Sequence, residues 1–140
     1  MTKNREWWFF HHDPEVFTQN ERKGMPWPVE SARRKPYLEA GKFLAQDAGI
    51  PKGLEHISMS VTHLFGSKRP PDADASAPAA KSLLDGMVLY GVVKDDSGRY
   101  VAPIMFEEPM RAVRPDRLGL VIVITETPRT YQEAAHAANS

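Results

Sequence analysis

Between positions 56 and 65 apolar and polar residues alternate cleanly: Ile57, Met59 and Val61 fall on one side, Ser58, Ser60 and Thr62 on the other. A period of two predicts a strand with one face buried. Residues 118–125, Leu-Gly-Leu-Val-Ile-Val-Ile-Thr, are the most apolar run and predict a central strand. Residues 6–12, Glu-Trp-Trp-Phe-Phe-His-His, are aromatic-rich and predict another, ended by Asp13-Pro14. A further strand is predicted over 99–106, where Pro103 confines it to an edge or a bulge.

Two stretches carry helical spacing instead. Leu38, Gly41, Leu44, Ala45 and Ala48 predict a helix over 36–48, with Pro36 in its first turn and Gly49 and Pro51 as stop signals. Ala80, Leu83, Leu84, Met87 and Val88 form the buried stripe of a second helix over 77–89, with Ser76 as its N-cap and Pro78 in its first turn. Residues 13–30 hold three prolines, Gly24 and Asn20, and read as a long loop. Within that loop, Trp27 between Pro26 and Pro28 covers the edge of the core or stacks on a base. The tail from Pro128 predicts a short, frayed helix over 131–138. The expected fold class is therefore α+β: a mixed, largely antiparallel sheet of about four strands packed with two main helices.

Composition narrows the class without naming an activity. A chain of 140 residues, 41% hydrophobic and 26% charged, is expected to be one globular domain over 1–140, with 128–140 peripheral. There is no apolar run near the length of a membrane span, and no signal-peptide pattern follows Met1. The absence of cysteine excludes disulfides and thiolate metal sites. A cytoplasmic protein is expected. The five histidines form no recognisable ligand set, and neither a Gly-rich phosphate loop nor a nucleophile elbow is present.

The net charge of zero hides an asymmetry. Residues 1–69 hold 11 Lys/Arg against 8 Asp/Glu, and residues 70–140 hold 7 against 10. The basic residues gather at Arg22-Lys23, at Arg33-Arg34-Lys35, at Lys42 and at Lys68-Arg69, a distribution able to meet phosphates or simply to be solvated.

The chemistry-bearing stretch runs from Asp72 to Asp96. Asp72 and Asp74 follow Pro70-Pro71; read as extended chain, they point the same way. Lys81 comes next, one turn before Asp85 with which it is able to pair, and Asp95-Asp96 closes the stretch. Carboxylates from two places with a lysine between them suit a hard divalent cation and a phosphate. Two acidic surface turns flanking a helix give the same pattern.

The spaced set Asp72-x-Asp74, Lys81, Leu84-Asp85-Gly86, Gly91-Val92 and Asp95-Asp96 resembles that of the RusA-like Holliday-junction resolvases. The resemblance is strongest over 72–96 and looser over 56–126. It implies a small homodimeric endonuclease that cuts four-way DNA junctions with magnesium or manganese, in a bacterial cell or one of its phages. Carried over by position, the catalytic set is Asp72, Asp74, Lys81 and Asp96, with Asp72, Asp74 and Asp96 as metal ligands and Asp95 the alternative to Asp96. Lys81 then serves the scissile phosphate, and Asp85 orients Lys81. Arg22, Lys23, Arg33, Arg34, Lys35, Lys68 and Arg69 are the expected DNA contacts. Two departures stand out. Ala75 occupies the position where the family usually has Asn, and the insertion before Lys81, with Pro78, resembles relatives from actinobacteria and their phages. A resolvase-fold DNA-binding module without catalysis and a small interaction protein with a structural cation are the alternatives.

Overall fold

The structure, a computed structural model, describes residues 4–66, 69–127 and 138–139. Its elements run β1 (Glu6–His12), α1 (Gln19–Arg22), α2 (Trp27–Asp47), β2 (Ile57–Phe65), α3 (Ala77–Tyr90), β3 (Met105–Phe106), β4 (Met110–Arg111) and β5 (Gly119–Glu126). The fold is α+β.

The sheet has five strands in the order β1-β5-β2-β3, with β4 beside β2 as well. The apolar run becomes β5, and it is central as its composition requires: β1 and β2 flank it, both antiparallel. β3 and β4 lie parallel to β2, so the sheet is mixed. The chain passes from β2 to β3 through α3, the helical crossover that parallel neighbours need.

Register decides which face is covered. Met59 pairs with Ile124, which pairs with Trp7; Val61 pairs with Ile122, which pairs with Phe9. The β2 and β5 residues of this face are buried and join Leu83, Leu84 and Met87 of α3 and Tyr37 and Ala45 of α2 in one core cluster. The opposite face carries Ser58, Ser60 and Thr62, with Trp8 71% exposed and Met105 and Met110 also exposed. Among the described residues, helices thus cover one side of the sheet.

The two long helices meet at glycines. A Cβ on Gly41 would fall on the Leu83 carbonyl oxygen, and one on Gly86 on the Leu38 carbonyl oxygen. Without side chains at these positions, the backbones approach closely enough for α2 to bury Tyr37 and Ala45 beside α3. Gly91 then closes α3 with φ 106°, a left-handed C-cap that glycine adopts without strain.

Four expectations are corrected. The helix predicted over 36–48 starts at Trp27, so residues 13–30 are not one long loop: they hold α1 and the first turns of α2. Pro28, not Pro36, occupies the first turn. Pro36 lies inside α2, where it removes the hydrogen bond to the carbonyl four residues back; both Ala32 and Pro36 are at exposed positions, so the loss falls on the solvent side of the helix. The strand predicted over 99–106 shrinks to β3 and a single bridge between Val101 and Ile57, because Pro103 interrupts the ladder. Trp27 is 64% exposed and does not cover the core edge. The helix predicted over 131–138 lies almost wholly outside the described residues. Among the described residues no helix is long and apolar enough to cross a membrane.

Candidate functional site

The candidate site is built on α3. Ser76 stands at its N-cap position, and Pro78 fits the first turn because a proline there gives up only an N–H that has no helical partner. Ahead of the helix, the Ala75 N–H donates to the Asp72 carbonyl at 3.0 Å and the Ala77 N–H to the Asp74 carbonyl at 3.0 Å. The segment is therefore a pair of tight turns and not the extended chain expected from the Asp-x-Asp spacing. Both carboxylates are exposed. Gln19 of α1 fastens these turns: its N–H donates to the Ala75 carbonyl at 2.9 Å and its side-chain amide to the Asp74 carbonyl at 3.0 Å.

Lys81 and Asp96 are brought together. Lys81 Nζ lies 2.8 Å from Asp96 Oδ2, across fifteen residues of chain. Hydrogen bonding from Lys81, then its charge, holds the Asp96 carboxyl below the usual carboxylate range. Asp95 turns back on its own loop and accepts the Ser97 N–H at 2.8 Å, and hydrogen bonds from Ser97 lower its pKa in turn. Geometry thus separates two neighbouring carboxylates that sequence left equivalent: Asp96 faces the lysine and Asp95 serves the turn.

Asp85 does not pair with Lys81 as expected. Arg34 of α2 takes it, with Nη2 2.6 Å from Asp85 Oδ2, while Arg34 Nε donates to Ser82 Oγ at 2.9 Å. Burial raises the Asp85 pKa, and the charges of Lys81 and Arg34 pull it back. Ser82 in turn donates to the Pro78 carbonyl at 2.8 Å, so Arg34, Ser82 and Asp85 tie α2 to the middle of α3.

A cavity of about 410 Å³ opens beside the pair, lined by Lys81 and Asp96 and otherwise mostly by apolar groups such as Leu84, Ile104 and Phe106. Its polar end is the ion pair.

The basic residues are distributed differently from their sequence clusters. Arg33 and Arg34, which precede the helix predicted over 36–48, lie inside α2. Arg33 grips Glu21 with Nε at 2.7 Å and Nη2 at 3.1 Å, donates to the Glu15 carbonyl at 2.6 Å, and stacks over Phe17 and Tyr37. Hydrogen bonding to Glu21 raises its pKa. Arg33 and Arg34 are thus engaged within the chain, while Arg22, Lys23, Lys35 and Arg69 are exposed. Lys68 lies outside the described residues.

Sequence reasoning missed a second polar cluster, on the covered face of the sheet. Tyr37 Oη donates to Asp13 Oδ2 and accepts the Phe17 N–H at 2.9 Å. His11 and His63 flank Leu120 on neighbouring strands, and Asp13 acts on both electrostatically. The alternation of β2 placed His63 on the buried face, which was the available signal.

In kind, Asp72, Asp74 and Asp96 suit a hard divalent cation. In placement they do not assemble one: among the described residues no group of three or more His, Asp or Glu side chains stands as a metal site. No protein-family model matches the chain, and no curated protein matches it.

Proposed function

We propose that the chain is a magnesium- or manganese-dependent endodeoxyribonuclease acting on branched DNA, a RusA-like Holliday-junction resolvase that works as a homodimer. The observation that carries this reading is the 2.8 Å pair between Lys81 of α3 and Asp96 of the loop after it, α3 being the helix into which the Asp72–Asp74 turns lead. All four residues of the resembled catalytic set thus belong to one helix, the turns before it and the loop after it.

In this reading Asp96 holds the Lys81 ammonium aimed at the site. A phosphate arriving at the site competes with Asp96 for that ammonium. Lys81 then neutralises charge as it builds on the phosphoryl oxygens, the kind of prearranged electrostatic help that contributes most to phosphate chemistry. Two-fold symmetry would set two such sites on related strands of a four-way junction.

A second reading is favoured by one observation. The three carboxylates are not gathered into a ligating group, and Ala75 stands where the resembled family has Asn. A module that binds branched DNA without cutting it meets both points.

A four-way junction and a linear duplex of the same sequence, incubated with magnesium or with chelator, test the proposal. Nicked duplex products from the junction, only in magnesium, are expected. Junction binding without cleavage selects the second reading, and equal indifference to both DNAs rejects both.

A further inference from the structure

Ala77 and Lys81 wall two cavities, and the second has a different chemistry from the first. It encloses about 340 Å³ between α1, the start of α2 and the start of α3. Arg22, Arg34 and Lys81 supply three cations to its wall against one carboxylate, Glu30, and Gln19 adds an amide. Asp85 and Asp96 lie just outside the wall on Arg34 and Lys81, so the recess concentrates cationic donors and a phosphate must compete with those carboxylates for them.

The donors there are unevenly committed. The Arg22 guanidinium stands 3.8 Å from Glu30, beyond hydrogen-bond distance, and is half exposed. Arg34 spends Nε on Ser82 and one Nη2 hydrogen on Asp85. A guanidinium has five N–H donors, so most of the Arg34 fork remains available while its position is fixed by those two bonds. Guanidinium forks match the tetrahedral oxygens of a phosphate, and a fixed fork loses little entropy on binding one.

We infer that this cavity is a phosphate subsite, taking a backbone phosphate of the DNA strand whose neighbouring phosphodiester lies at Lys81. The inference rests on the DNA reading above. Arg22 and Arg34 are its anchors, and Lys81, shared by both cavities, links it to the Asp96 side. The apolar lining of the first cavity takes no part in holding the charge. Glu30 opposes binding: it repels the phosphate and competes for Arg22.

Binding is measured on the full chain by amide chemical-shift titration with inorganic phosphate, deoxyadenosine monophosphate, uncharged deoxyadenosine and a short single strand. The two phosphates and the single strand should move resonances of Gln19, Arg22 and Ala77, and deoxyadenosine should not. A response to inorganic phosphate and nucleotide with none to the single strand would limit the cavity to free phosphates and overturn the strand assignment. Arg22→Ala should weaken phosphate binding about tenfold or more, as loss of a charged hydrogen-bonding group does. It should also lower the salt slope for the single strand by about 0.7. Lys42→Ala, a charge removed outside the cavity, should change neither.

Glu30→Gln should tighten binding, a direction that general loss of structure does not produce. Unchanged affinity in Arg22→Ala, or weaker binding in Glu30→Gln, overturns the subsite. A parent chain that leaves junctions uncut yet binds phosphate with these dependences overturns the enzyme reading and supports the subsite. A chain that cuts junctions and is indifferent to Arg22→Ala does the reverse.

Discussion

Lys81 and Asp96 stand 2.8 Å apart, nitrogen to oxygen, one on α3 and the other on the loop that follows it. The pair is about half exposed on both sides, so it contributes little to stability, on the order of 1 kcal/mol or less. Lys81→Ala should therefore leave thermal unfolding nearly unchanged. It should let the Asp96 pKa rise toward the ordinary carboxylate range, read by carbon-detected titration, because Lys81 is the first cause of its depression. Under the proposed function, single-turnover junction cleavage should slow by about 10²- to 10³-fold, as for removal of one prearranged donor.

Gly41→Ala and Gly86→Ala should each destabilise the fold. Alanine normally helps a helix interior by roughly 0.5–1 kcal/mol relative to glycine. Here the new Cβ would meet a carbonyl oxygen of the partner helix, Leu83 or Leu38. Backbone cannot step aside as a flexible side chain does, so overpacking of about 1–3 kcal/mol is expected. Urea midpoints lower than the parent check this; a rise in either would mean the helices are farther apart.

The early turns of α2 show where sequence was legible and where it was not. β2 and β5 could be read because their neighbours impose a period of two on one buried face. α3 could be read because Ala80, Leu83, Leu84 and Met87 are all buried at helical spacing. Residues 27–35 have no such stripe: Trp27 and Val29 are exposed. Their helix is fastened by Arg33 to Glu21 and Arg34 to Asp85, partners 12 and 51 residues away, which no local pattern announces. The site shows the same division. The residue types of Asp72, Asp74, Lys81 and Asp96 were legible, but the turns at Asp72 and Asp74 and the choice of Asp96 over Asp95 depend on backbone hydrogen bonds to Ala75, Ala77 and Ser97.

Arg33→Ala should behave as a structural mutation. Its side chain bonds to Glu21 and to the Glu15 carbonyl and covers Phe17 and Tyr37. Loss of these contacts should cost about 1–3 kcal/mol, and Arg33→Lys should recover only part, since an ammonium cannot reproduce the fork. The salt slope of DNA binding should stay as in the parent. Lys35→Ala, at an exposed position of α2, should instead lower the duplex slope by about 0.9.

Stability should fall as the solution is acidified through the histidine range. Burial lowers the pKa of His11, with Asp13 opposing and His12 adding to the shift; burial also lowers that of His63, with Asp13 opposing. A lowered pKa means the unfolded chain takes up protons before the folded one does. Stability is thus undiminished above the unfolded value of about 6.5 and is lost as pH falls from there toward the folded values. Each group contributes at most about 1.4 kcal/mol per pH unit within that window. Urea denaturation between pH 8 and 5.5 should show the decline, and His63→Gln should flatten it. A flat parent profile would mean both rings charge freely in the fold.

The most direct measurement for the proposed function compares junction cleavage with junction binding in Asp74→Asn. Asn keeps the shape of the exposed Asp74 side chain and the backbone turn that Gln19 fastens, so the fold should persist. It removes one carboxylate of the set that the family resemblance implies as metal ligands. Single-turnover cleavage of a four-way junction in magnesium should collapse. Under the proposed function junction affinity should hold or tighten, because binding would come mainly from phosphate contacts with basic groups elsewhere. Cleavage by Asp74→Asn at the parent rate would contradict the assignment of this site.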